Sequence, residues 1–250
     1  MKKRHIVDKL INEEAIYQQG FSVDCVVFGF HDRMLKVLLS KFNFFHKWML
    51  PVGFIMKDED MDVAAYRILK AKTGLDNIYM YQFHTFGSPV RPNIKEHRDF
   101  MTKMGLKDND HWLTQRFVST GYYALVEYSK VNIQISANEE VRWFNIYEIP
   151  LLYSDHNNII GKALSTLRTQ LPVIPVGYKL LPEKFPLSEL RIIYEIILGK
   201  ELDRRNFQRK ILSTGYLIKL DEIHKKAGQK PTTLFSFDKQ KCDEILQSII

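Results

Sequence analysis

One stretch, Pro51 to Leu75 (PVGFIMKDEDMDVAAYRILKAKTGL), constrains this chain more than any other. The apolar run from Trp48 to Ile55 reads as a strand that carries Gly53. Asp58, Asp60 and Asp62 follow, where carboxylates complement the positive end of a helix. The spacing predicts a helix over 61–73, stopped by Gly74, since a glycine accepts the left-handed conformation that ends helices. Ile68, Ala71 and Lys72 fall at i, i+3 and i+4 and therefore share one face of that helix.

The flanking segments supply a sheet for the helix to lie on. Residues 22–30 (SVDCVVFGF), 35–40, 78–87, 117–128 and 140–146 are rich in β-branched and aromatic side chains and read as strands. His31-Asp32-Arg33 turns the first into the second. Residues 5–17 place Ile6, Leu10 and Ile16 near helical spacing, which predicts an amphipathic N-terminal helix ended by Gly20. Residues 88–115 are a long polar insertion with a short helix expected over 98–104, and a loop of that length is usually functional. Residues 155–170 read as a helix, with Asp155 as its N-cap. Phe83, Phe86, Tyr122 and Tyr123 are expected to alternate between core and surface.

Four prolines, Pro172, Pro175, Pro182 and Pro186, mark a junction, after which the pattern changes. A helix over 187–198 stops at Gly199, and Asp203 is placed to cap a second helix over 204–213 (RRNFQRKILS). Two strands, 216–220 and 233–237, enclose a basic segment. Helix, turn, basic helix and basic-tipped hairpin is the order of a winged helix-turn-helix. The expected division is 1–171 for the first domain, 172–186 for a linker and 187–250 for the second.

Charge agrees with that order. The chain of 250 residues carries a net charge of +7, and between residues 177 and 241 there are 14 Lys/Arg against 8 Asp/Glu. A concentrated positive balance points to a polyanion. Arg204, Arg205, Arg209 and Lys210 crowd one short helix, while Asn206 and Gln208 bring side chains that can read base edges. Lys225, Lys226 and Lys230 lie at the wing tip, where phosphate contact is expected. A solvated basic face is the alternative reading of the helix. The two cysteines, Cys25 and Cys242, build neither a disulfide framework nor a zinc site. The basic N-terminus lacks an apolar signal core, and no run is long enough to span a membrane, so a cytoplasmic protein is expected.

The stretch 51–75 resembles the Nudix box, on Gly53, Glu59, Arg67, Leu69, Gly74 and Leu75. In that family the helix positions held here by Ile68, Ala71 and Lys72 are glutamates that bind divalent metal, and Val52 stands where many members have a second glycine. Mg²⁺ takes oxygen ligands; isoleucine and alanine offer none and Lys72 adds a like charge. No metal, no cofactor and no hydrolysis are therefore expected. A metal-dependent Nudix hydrolase of a nucleoside-diphosphate sugar, such as ADP-ribose, is the competing reading. Glu59 and Arg67 remain, either as an ion pair holding the loop to the helix or as ligand contacts.

The whole chain resembles the Nudix-related bacterial transcriptional regulators. The most specific residues are Trp143-Phe144-Asn145, Glu148-Ile149-Pro150, Asp155-His156, Leu180-Leu181-Pro182, Phe185 and Asp203-Arg204-Arg205-Asn206-Phe207. The resemblance implies an α+β chain: an N-terminal Nudix-like α/β/α sandwich, then a C-terminal winged helix-turn-helix. It also implies a homodimer on a double-stranded DNA operator, controlled by a small effector. One branch senses ADP-ribose and another, in Bacteroidetes, a pentose such as arabinose. The degenerate box and the IYMYQFHTFG strand look closer to the sugar branch, from which the 88–115 insertion departs. A sugar or nucleotide-sugar effector is expected, with Trp48, Glu59, Arg67 and His156 as candidate contacts; Trp48 and His156 have packing roles as their alternatives.

Overall fold

The strand at residues 17–31 is buried on both sides from residue 23 to residue 30, and the rest of the first domain is arranged around it. In this computed structural model, which describes residues 14–76, 78–91, 94–106, 111–134, 138–224 and 231–248, it is β1 (Tyr17–His31). It turns at Asp32 and Arg33, both at positive φ (51° and 59°), into β2 (Met34–Phe42). A two-residue turn of that hand matches the twist of a hairpin. β3 (Val52–Met56) pairs with the first half of β1, and β4 (Tyr79–Phe86), β5 (Val118–Val126) and β6 (Glu139–Asn145) complete a mixed sheet in the order β4-β5-β1-β2-β6. β1 and β5 are parallel, Phe21 facing Val118 through Gly29 facing Val126.

Alternate side chains point to opposite faces of a strand, and here both faces are covered. Val23, Cys25 and Val27 pack under α1 (Met61–Thr73), with Ala64, Ala65, Ile68 and Leu69. Val26, Phe28 and Phe30 pack under α3 (His156–Gln170), with Ile159, Ile160, Ala163 and Leu167. Tyr122 and Tyr123 follow the same rule and are both buried, one on each face, so the expected alternation between core and surface is corrected. α1 has the expected bounds, and Gly74 closes it at φ 69° with its N–H on the Lys70 carbonyl.

The predicted N-terminal helix falls almost wholly outside the described residues. Where it overlaps them, Glu14–Ile16 form one 3-10 turn and Tyr17 already belongs to β1. Gly20 therefore ends no helix; its φ of 79° sits where the pairing of β1 with β3 shifts register. The 88–115 insertion is more ordered than expected. It forms α2 (Ile94–Met104) and a 3-10 turn at Trp112–Thr114. Phe100, Met101, Met104, Leu106, Trp112 and Leu113 give it a small core of its own, shared with Tyr17, Phe45, Met49 and Phe117.

Beyond α3 the proline-rich stretch is packed structure. It contains α4 (Gly177–Leu180) and β7 (Phe185–Pro186), with Ile174, Val176, Leu180, Leu181 and Phe185 all buried. α5 (Leu187–Leu198), α6 (Arg204–Ser213), β8 (Leu217–His224), β9 (Thr232–Phe237) and α7 (Lys239–Gln247) follow, with a second sheet ordered β7-β9-β8. One apolar cluster runs from Phe28 and Ile160 through Val176 and Leu190 to Phe237 and Leu246, so both domains share a core. Tyr147 adds a bond across the boundary, donating to the Ile196 carbonyl at 2.8 Å. No helix among the described residues is long and apolar enough to cross a membrane.

Candidate functional site

The face of α1 at positions 68, 71 and 72 borders a cavity of about 500 Å³, within the range of small-molecule sites. Local packing accounts for the survival of the box glycine. A Cβ on Gly53 would lie 2.6 Å from Ile68 Cδ1, so Ile68 occupies the space that the glycine leaves. Lys72 donates to the buried Glu139 of β6 at 2.6 Å. An ammonium thus sits against the carboxylate beside the box helix. Ile68, Ala71 and this lysine do not fit a divalent cation, which needs oxygen donors at these places. No metal-dependent step is assigned to them.

Glu59 and Arg67 form a forked pair: Nε to Oε1 and Nη2 to Oε2, each at 2.7 Å. Arg67 Nη2 also donates to the Phe54 carbonyl at 2.8 Å, and Glu59 Oε2 accepts from the Met56 N–H at 3.1 Å. These bonds tie strand, loop and helix together. The Arg67 hydrogen bond holds the Glu59 carboxyl below the usual carboxylate range. Arg67 also lines the cavity; Glu59 stands behind it and does not. Trp48, a candidate effector contact with packing as its alternative, is not among the lining residues. It packs edge-on against Phe144 at 4.8 Å, with Lys41 Nζ 4.9 Å from its ring.

A buried polar cluster also reaches the cavity. Asp24 lies between Val23 and Cys25 in β1 and is 3% exposed. Its Oδ2 accepts from Arg91 Nη2 at 2.7 Å and from Ser119 Oγ at 2.6 Å. Arg91, from the insertion, also donates through Nε to Asp155 at 2.6 Å. Asp155 stands at the N-cap position as expected, its backbone carbonyl accepting from Ile159 at 3.1 Å, but its side chain accepts from Arg91 and from Ser154 Oγ at 3.3 Å and makes no capping bond. His156 is buried, and its Nδ1 accepts from the Leu50 N–H at 2.9 Å. The remaining proton therefore sits on Nε2, 3.7 Å from Asp24 Oδ1. His97 is set the opposite way: Nε2 donates to the Leu113 carbonyl at 2.8 Å and Nδ1 accepts from the Tyr153 hydroxyl at 2.6 Å. Burial holds both imidazoles below the ordinary histidine range, so both rings are neutral.

Asp24, Ser119 and Arg91 were not singled out from the sequence. The signal for Asp24 was present: an acid within an uninterrupted apolar strand is buried and must be paired. Arg91 carried none, since its partners lie 67 and 64 residues away.

The second candidate surface is α6. Asp203 caps it, accepting from the Asn206 N–H at 2.8 Å. Phe207 and Ile211 are buried, the former edge-on to Tyr194 of α5 at 5.3 Å. The turn between α5 and α6 is held by Glu195, which accepts from Arg191 at 2.6 Å and from the Leu202 N–H at 2.9 Å. Arg204, Arg205, Asn206, Gln208, Arg209 and Lys210 are all exposed. Arg209 donates to the Asn206 side chain at 2.9 Å. Among the described residues, none of the four cations is in an ion pair. Lys225, Lys226 and Lys230 lie outside the described residues.

The NUDIX domain family matches residues 18–165, and the family described as "NrtR DNA-binding winged helix domain" matches residues 177–237. The chain is 29% identical over 230 residues to the ADPR responsive transcriptional repressor NtrR of Acinetobacter baylyi, covering 89% of this chain and 83% of that protein. Among solved structures it is similar to NrtR of Shewanella oneidensis complexed with a 27mer DNA, with a TM-score of 0.69 and 28% identity over 90% of this chain and 96% of that one. A MutT/nudix family protein of Enterococcus faecalis shares the fold, with a TM-score of 0.63 and 22% identity over 88% of each chain.

Proposed function

Since the chain belongs to the Nudix-related transcriptional regulators, a Nudix domain followed by an NrtR-type winged helix, we propose that it binds an operator through α6 and the wing, and that an effector in the box cavity tunes that binding. The observation that carries this reading is the Lys72–Glu139 pair, which turns the face used by family hydrolases for metal into a closed ion pair beside a cavity. Such a cavity binds without needing to turn its ligand over. α6 supplies exposed cations for phosphates, with Asn206 and Gln208 for base edges.

The proposed effector is an uncharged polyhydroxy molecule of the sugar class, a pentose being the reference case. Charge balance at the cavity supports it. Its three cations, Arg67, Lys72 and Arg91, meet four carboxylates, Glu59, Glu139, Asp24 and Asp155. Among the described residues lining the cavity, a pyrophosphate would meet no uncompensated cation. ADP-ribose is the second reading, because the Acinetobacter relative is described as responding to it.

For the effector to regulate, it must bind the DNA-competent and incompetent states with different affinity. The core that both domains share is the route proposed for that difference. The test is binding to the DNA upstream of the protein's own gene, titrated with salt and repeated with pentoses, hexoses and ADP-ribose. Sequence-specific binding released by a pentose is expected. Absence of specific binding at about 0.15 M salt, where exposed charges are screened beyond about 8 Å, would sink the regulator reading. Release by ADP-ribose alone would replace the sugar reading with the second one. Metal-dependent turnover of a nucleoside diphosphate would restore the hydrolase.

A further inference from the structure

We propose, resting on the reading that the box cavity is the effector site, that its ligand is an uncharged amphipathic alcohol. One hydroxyl sits between Asp24 and His156, and an apolar substituent lies on the wall brought by the insertion.

The first part follows from two atoms. Asp24 Oδ1 accepts from no hydrogen-bond donor among the described residues, because Arg91 and Ser119 both bond Oδ2. His156 Nε2 carries the ring proton, because Nδ1 is taken by Leu50. The two atoms are 3.7 Å apart, too far for a bond to each other, on side chains that are 3% exposed. Both residues line the cavity. A group that satisfies both must accept from Nε2–H and donate to Oδ1. A ligand hydroxyl does both. An ionised phosphate or carboxylate only accepts, and it would meet the Asp24 carboxylate with repulsion.

The second part follows from the remaining lining. The insertion brings Phe100, Met101, Met104 and Leu113, and Phe54 and Phe117 stand with them, their rings 5.4 Å apart. A free pentose carries hydroxyls on nearly every carbon and would set several against this surface without partners. A sugar bearing an alkyl or aryl group at its anomeric oxygen has one face for each half of the cavity. Methionine suits such a wall because its flexible thioether adapts to shape and favours aromatic contacts.

Calorimetric titration of the full chain with L-arabinose, D-xylose, their phenyl glycosides and ADP-ribose tests this. At least one phenyl glycoside is expected to bind at least tenfold tighter than its parent sugar. Met104→Gln is expected to narrow that ratio while the parent's affinity holds. Asp24→Asn is expected to weaken sugar and glycoside alike by at least tenfold, in protein shown to be folded by its thermal midpoint. Equal affinities for sugar and glycoside would overturn the inference and leave the effector reading standing. Binding of ADP-ribose alone would overturn both. Binding of none of these, with operator DNA still held, would overturn the sugar-class effector itself.

Discussion

The box helix α1 and the basic helix α6 carry the same kinds of cation and use them in opposite ways. On α1, Arg67 is forked onto Glu59 and Lys72 is held by Glu139. On α6, Arg204, Arg205, Arg209 and Lys210 stand exposed, with no carboxylate paired to them among the described residues. A paired cation has spent its field on its partner and serves to position elements. An unpaired one keeps its field for a ligand, and several in a row attract a polyanion. The count of basic residues in each helix would not separate the two; the partners do.

The sharpest way to break this contrast is to unpair α1. Lys72→Met takes the ammonium away from the buried Glu139, which costs about 3 kcal/mol, the usual scale for removing one side of a buried pair. Urea denaturation should show that loss, and adding Glu139→Leu should recover most of it; a Lys72→Met protein as stable as the parent would mean that the pair holds nothing. Next in size is Arg205→Ala on α6. Operator affinity should fall about tenfold, and the slope of log affinity against log salt should flatten by about one. Stability should stay within about 0.5 kcal/mol. A loss of folding here, with binding unchanged, would reverse the assignment of the two helices.

Arg67→Ala should cost about 1 kcal/mol, discounted because the guanidinium is 38% exposed and partly screened. The sign of its pH dependence is fixed. The folded Glu59 carboxyl titrates lower than the unfolded one, so its stabilisation is present above the unfolded value and is lost as pH falls through the folded one. The variant should lack that acid limb in a stability-versus-pH series. Smallest is Asp203→Ala, about 0.5 to 1 kcal/mol from the lost cap. It should lower the thermal midpoint slightly and leave the salt slope of DNA binding unchanged.

The α1 helix was legible because its signals are local: two aspartates before it, a third in its first turn and a glycine after. The same holds for Asp203, whose capping bond spans three residues. The cavity was hardly legible. Its apolar wall combines Phe54 with Phe100, Met104 and Phe117, residues that meet only through the tertiary fold. Trp48 follows its packing alternative, because proximity to the box in sequence is not proximity to the cavity: its ring lies against Phe144. α7 was not foreseen. Its nine residues, KQKCDEILQ, are mostly polar, and only Cys242 and Leu246 are buried beneath it.

The Lys72–Glu139 pair also bears on how this domain could change over time. Rebuilding a metal site would require carboxylates at 68, 71 and 72. If Lys72→Glu came first, it would set a second carboxylate against the buried Glu139 in place of the ammonium. If Ile68→Glu came first, it would put a charge where Ile68 now packs over Gly53. Both of these first steps are uphill, and neither yields a carboxylate set until the others follow. On the proposed reading, the lysine at this place acts as a ratchet: the cavity explores new ligands by substitution in its walls, while no single mutation at 68, 71 or 72 rebuilds the carboxylate set.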